Sequence, residues 1–96
     1  MKYWKTGVFI IALSGVACAS GIPVQEMSDA RQAIRSAEEA DALRHSPQQL
    51  NMAKQLLQQA QSQLEAGNYA DARRAALHAR EEAILAREQA DVGRTP

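Results

Sequence analysis

The sequence predicts an all-α fold: an antiparallel three-helix bundle, with helices over about 23–44, 47–66 and 69–91, behind an N-terminal secretory leader. Three observations carry this expectation. Beyond residue 20 the chain is rich in Ala, Gln, Glu, Arg and Leu and poor in β-branched and aromatic residues, which favours helix over sheet. Helix breakers fall at Gly21 and Pro23, Ser46-Pro47, Gly67-Asn68 and Gly93, and divide the chain into segments of roughly twenty residues. Within each segment apolar residues recur at alternating intervals of three and four, the spacing of helices packed along a seam.

The first element is the leader. Met1-Lys2-Tyr3-Trp4-Lys5 is basic, residues 6–17 form an uncharged run of 12, and Cys18-Ala19-Ser20-Gly21 is a small-residue exit. This is the anatomy of a secretory signal. A run of 12 falls short of the about 20 helical residues that span a hydrocarbon core. Ser14-Gly15-Val16-Ala17-Cys18 resembles a bacterial lipobox, with Gly15 where Leu is usual and Leu13 two places earlier. The resemblance implies that residues 1–17 are a lipoprotein signal peptide, that Cys18 receives a diacylglycerol on sulfur, and that residues 18–22 are a lipidated linker. With Ala19 rather than Asp next, it further implies the outer membrane, on its periplasmic face. Ala17-Cys18-Ala19 also suits ordinary cleavage, which would release a soluble periplasmic chain, and an uncleaved anchor is the remaining alternative. A single cysteine cannot form an internal disulfide, and acylation removes the oxidation liability of a lone exported thiol.

Pro23 suits a first helical turn, where its missing N–H has no partner to lose. Helix 1 follows to about Arg44, with Met27, Ala30, Ile34 and Ala37 in rhythm before it is lost at Asp41. Ser46-Pro47-Gln48-Gln49 reads as a capping box with Pro at the first helical position, and starts helix 2. Its seam is Leu50, Ala53, Leu57, Ala60 and Leu64. Gly67 suits the left-handed residue that closes helix 2, and Asn68 a cap for helix 3. Helix 3 carries Tyr69, Ala72, Ala76, Ala79, Ala83, Ala86 and Ala90 to about Asp91, and Gly93 opens the tail 93–96. Residues 23–92 thus form one alanine-seamed domain. Alanine lets backbones approach closely, and connections this short make neighbours antiparallel.

Several residues on this frame are candidates for an interaction surface. Arg73, Arg80, Arg87 and Arg94 fall seven apart and flank the alanine seam, either with stems covering seam edges or as a basic stripe for an acidic partner or lipid head groups. Leu77 and Ile84 point about 100° away from the seam and need a second neighbour, which a third helix would supply. Helix 2 holds seven glutamines, Gln55 and Gln59 among them, against Lys54 and Glu65 as its only charges, and this face either meets solvent or pairs with another helix at low desolvation cost. Tyr69, the one aromatic beyond the leader, suits a plug at the end of the bundle.

Charge and chemistry narrow the function. The chain holds 11 Lys+Arg and 11 Asp+Glu, and without Lys2 and Lys5 it is mildly acidic, which argues against nucleic acid as a partner. His45 and His78 are the only histidines, and no metal-ligand spacing or Gly-rich phosphate loop occurs. Glu38-Glu39 and Glu81-Glu82 are consecutive and diverge on a helix, so neither forms a catalytic dyad. No cofactor, metal or enzymatic activity is expected.

Pro23, Ala30-Arg31, Ala33, Ala37, Ser46-Pro47, the helix 2 seam and the turn Gly67-Asn68-Tyr69 followed by Ala72 together resemble the alanine-rich domain of unknown function of small Gram-negative envelope lipoproteins. The resemblance continues through Ala76, Ala79, Ala83 and Ala86 and spans nearly all of the chain beyond the leader. In that family the domain also precedes OmpA-like peptidoglycan-binding domains, and none follows here. The Gly67–Ala72 turn is similar as well to the hairpin of a tetratricopeptide repeat, of which one copy makes no array. The expectation is a noncatalytic outer-membrane lipoprotein, a periplasmic helical scaffold or interaction module whose partner is a second copy or an envelope protein. The alternative is a periplasmic carrier of a small ligand or peptide, using a groove beside Tyr69.

Overall fold

The computed structural model describes residues 21–94, and the leader and Cys18 lie outside the described residues. Four helices pack compactly: α1 Val24–Glu39, α2 Ala42–His45, α3 Pro47–Glu65 and α4 Tyr69–Arg94. Among the described residues there is no strand.

Pro23 stands one place outside α1, where it caps rather than begins the helix, and its carbonyl accepts from the Met27 amide at 3.1 Å. The expected continuous helix to Arg44 does not form. The Ala40 amide closes on Ala37 and Ser36, Asp41 turns left-handed at φ 68°, and α2 restarts at Ala42. Packing accounts for the break. Ala40 and Ala42 are both buried in one cluster with Leu50 and Ala90, whereas in an unbroken helix residues two apart diverge by about 200°. Asp is among the few non-glycine residues that adopt this conformation readily.

Pro47 occupies the first turn of α3 as expected, but the capping box is absent. The Ser46 hydroxyl donates instead to the Ala86 carbonyl of α4 at 2.6 Å, so the buried serine ties two helices together and leaves the end of α3 to the backbone. The turn between α3 and α4 follows expectation at Gly67, which is left-handed at φ 82°. The Gly67 amide donates to Leu64 O at 3.0 Å and the Asn68 amide to Gln63 O at 2.9 Å, the pair of bonds that defines a Schellman closure. Asn68 does not cap α4 with its side chain, which donates to Gln63 Oε1 at 2.9 Å.

Gly93 does not end α4, and the expected tail begins inside the helix, which continues to Arg94. A Cβ at Gly93 would come within 3.1 Å of His45 Nδ1 and 3.3 Å of His45 Cβ. Glycine here serves the close approach of α2 and not termination.

The seams pack as their spacing predicts. Met27 groups with Ala60, Ala75 and Ala76 at one end, and Ile34 and Ala37 with Leu50, Ala53, Ala83, Ala86 and Ala90 at the other. Thus α3 runs against both α1 and α4, which run the same way. Leu57 packs on both clusters and joins them. Polar links brace the helices from outside: Lys54 Nζ lies 2.9 Å from Glu38 Oε2, and Arg31 donates to Gln61 at 3.1 Å.

Candidate interaction surface

The interior is small and the exterior large. Among the described residues thirteen of the sixteen buried hydrophobic residues are alanine, and Met27, Ile34 and Leu50 are the larger ones besides Pro23. Met52, Leu77, Ile84 and Leu85 stand outside, at 47, 40, 38 and 44% exposure. The second neighbour expected for Leu77 and Ile84 is therefore not supplied within the described residues, because α1 and α3 both sit on the alanine face of α4. A shallow groove bordered by Ala33 and Ser36 of α1 reaches Ile84, and a separate one between α3 and α4 reaches Leu77.

The arginine row does not act as one stripe. Arg73 is half-buried and turned inward, pairing with Glu26 at 3.4 Å and donating to Gly21 O at 2.8 Å, so it holds the segment ahead of α1 against α4. Arg87 lies 3.8 Å from Asp91 on its own helix, and Arg80 is exposed. Gln55 and Gln59 are both exposed but face different grooves. Gln55 borders one along α3 with Asn51, Leu57 and Gln58, and Gln59 borders the α3–α4 groove. Tyr69 is half-buried at the start of α4.

The α3–α4 groove is the largest of these features, about 610 Å³, with Leu56, Gln59 and Gln63 on one wall and Asp71, Ala75, His78 and Glu81 on the other. Tyr69 is not among its walls. Its α3 wall belongs to a row missed by sequence reasoning: Gln49, Met52, Leu56, Gln59 and Gln63 repeat the 3-4 spacing on a second face, and none is charged. The facing α4 row, Asp71, Ala75, His78, Glu82 and Leu85, has the same spacing. Asp71 pairs with Arg74, and Glu82 lies 3.6 Å from His78. The signal for both rows was present in the spacing, but the alanine seam is more regular and dominates any search for periodicity.

Among the described residues no group of three His, Cys, Asp or Glu side chains is placed to hold a metal ion, and no helix is long and apolar enough to cross a membrane. A family model described as a domain of unknown function, DUF4398, matches residues 25–95. The chain belongs to this family. The DUF4398 match begins one residue into α1 and takes in all four helices, so the family unit is the whole packed assembly and the alanine seams are its interior. No curated protein and no solved structure matches the chain.

Proposed function

We propose that this DUF4398 chain is a noncatalytic lipoprotein of the outer membrane, a three-helix bundle that acts at the periplasmic face by association with another protein chain. The observation that carries the association is the inversion of the usual distribution: alanine fills the interior while Met52, Leu77, Ile84 and Leu85 remain outside. Exposed apolar side chains favour a partner that covers them, and because each of these is already more than half-buried, covering it gains less than the about 1.5–3 kcal/mol of burying a fully exposed one. The lipid half of the reading draws on the lipobox-like Ser14-Gly15-Val16-Ala17-Cys18 behind a 12-residue apolar run. Arg73 adds a structural reason for a short tether, since its bonds to Gly21 and Glu26 fix the bundle three residues from Cys18.

Two measurements test the two halves separately. Globomycin treatment or Cys18→Ala should accumulate precursor and abolish recovery of a lipid-modified Cys18 by mass spectrometry; unchanged processing in both would remove the anchor. Crosslinking in intact cells should recover the chain in a covalent complex, and recovery of monomer alone would remove the association. A second reading, a carrier of a small ligand or peptide, rests on the open α3–α4 groove, where Leu56 and Leu77 lie among polar side chains. For that reading a metabolite screen should raise the melting temperature independently of protein concentration.

A further inference from the structure

We propose that Ile22 and Val24, at the start of the packed bundle, dock onto the headgroup boundary of a lipid bilayer, so that this end of the bundle faces the membrane. This rests on the lipid reading of Cys18 above and is independent of any protein partner. Ile22 and Val24 are large apolar side chains left 54 and 66% exposed. They do not hang on loose chain. Pro23 between them is fully buried, so its neighbours on either side are turned outward. The Val24 amide donates to the Ile22 carbonyl at 2.7 Å, and Arg73 of α4 donates to the Gly21 carbonyl at 2.8 Å. Proline burial and these two bonds present Ile22 and Val24 as a pre-formed apolar corner beside the first turns of α4.

Reach selects the occupant. Gly21 is three residues from Cys18, and three residues span at most about 11 Å. An acylated Cys18 is held at the bilayer surface, so the corner stays within that radius of it at high effective concentration. Val92 is more exposed still, at 74%, but it lies nineteen residues beyond Arg73 on α4, about 29 Å along the helix and away from the tether. Charge does not supply the contact. Arg73 pairs with Glu26 and Arg74 with Asp71, so the arginines nearest the corner are already answered by carboxylates, and Asp29 accepts from Gln25 at 2.9 Å. An apolar corner without a basic surround suits neutral headgroups and not an anionic patch. The lipid supplies the affinity, and the corner adds orientation.

The test uses the lipid-modified chain, its mass confirmed, in vesicles of phosphatidylcholine brominated on the upper acyl chain, which quenches nearby tryptophan. Trp4, in the leader, is the chain's only tryptophan, so Val24→Trp and Val92→Trp each give a single reporter in the processed chain. The expected result is strong quenching and a blue shift at position 24, and neither at position 92. Ile22→Asp in the Val24→Trp chain should lower the docked-to-undocked ratio about tenfold, the effect of exchanging one aliphatic contact for a charge. Ile22 is exposed, so the helical circular dichroism of that variant should be unchanged. High salt should leave the quenching as it is, because the contact is apolar. Equal quenching at both positions, quenching that survives Ile22→Asp, or quenching lost in salt would overturn the proposal. A chain lipidated at Cys18 with no quenching at position 24 removes this inference alone, whereas an unmodified Cys18 in cells removes the lipid reading and this one with it.

Discussion

Single side chains decide details that local spacing points the wrong way. Ser46-Pro47-Gln48-Gln49 has every residue of a capping box, yet the Ser46 hydroxyl is within 2.6 Å of the Ala86 carbonyl, forty residues on. A buried hydroxyl takes the acceptor that burial leaves it, and that acceptor is set by tertiary packing that four consecutive residues do not encode. Ser46→Ala should cost about 0.5–1.5 kcal/mol, read as a lower urea midpoint with unchanged slope. Gly67 lies at the opposite extreme, fully legible because a Schellman closure needs one left-handed residue and glycine adopts it without strain. Gly67→Ala should destabilise by about 1 kcal/mol in the same measurement, although a Cβ there would meet no neighbouring atom, because the penalty lies in φ alone. Arg73 was legible as a member of a heptad row and not as the clamp it forms with Gly21 and Glu26. Arg73→Ala should leave global stability within about 1 kcal/mol, since the pair is partly solvated, yet speed amide hydrogen exchange at the first turn of α1.

Helices were legible to the extent that their own periodicity defines them. Every seam alanine of α1, α3 and α4 is buried, because a 3-4 rhythm of alanines has one consistent way to be buried, whereas the larger Leu57, Leu64 and Tyr69 of those seams are half-buried. The ends of the elements were less legible. Loss of the rhythm at Asp41 marked the place where α1 stops, but the restart as α2 follows from the joint burial of Ala40 and Ala42. Gly93 reads as a stop in sequence and is a contact point for His45 in space, a distinction that only the position of α2 reveals. At this scale Leu50 dominates, as the largest wholly buried side chain of α3 and the one that α1, α2 and α4 all surround. Leu50→Ala should cost about 2–5 kcal/mol, and in a bundle this small should abolish the cooperative thermal transition.

For the molecule as a whole, the candidate surface was legible in part: Leu77, Ile84 and Gln59 were marked as unpaired with the alanine seam, while Met52, Leu56 and Leu85 were hidden by it. The second row on α3 becomes meaningful only once α4 is seen beside it at the same level. An interior made almost wholly of methyl groups has a further consequence, in the temperature axis. Alanine surrenders no side-chain rotamer entropy on folding, and it removes little apolar area from water per residue. The heat capacity change of unfolding, which scales with that area, should therefore lie below the about 12–15 cal/mol/K per residue usual for globular domains when measured by calorimetry. A shallow stability curve follows. A bundle built this way keeps nearly constant stability as the temperature falls.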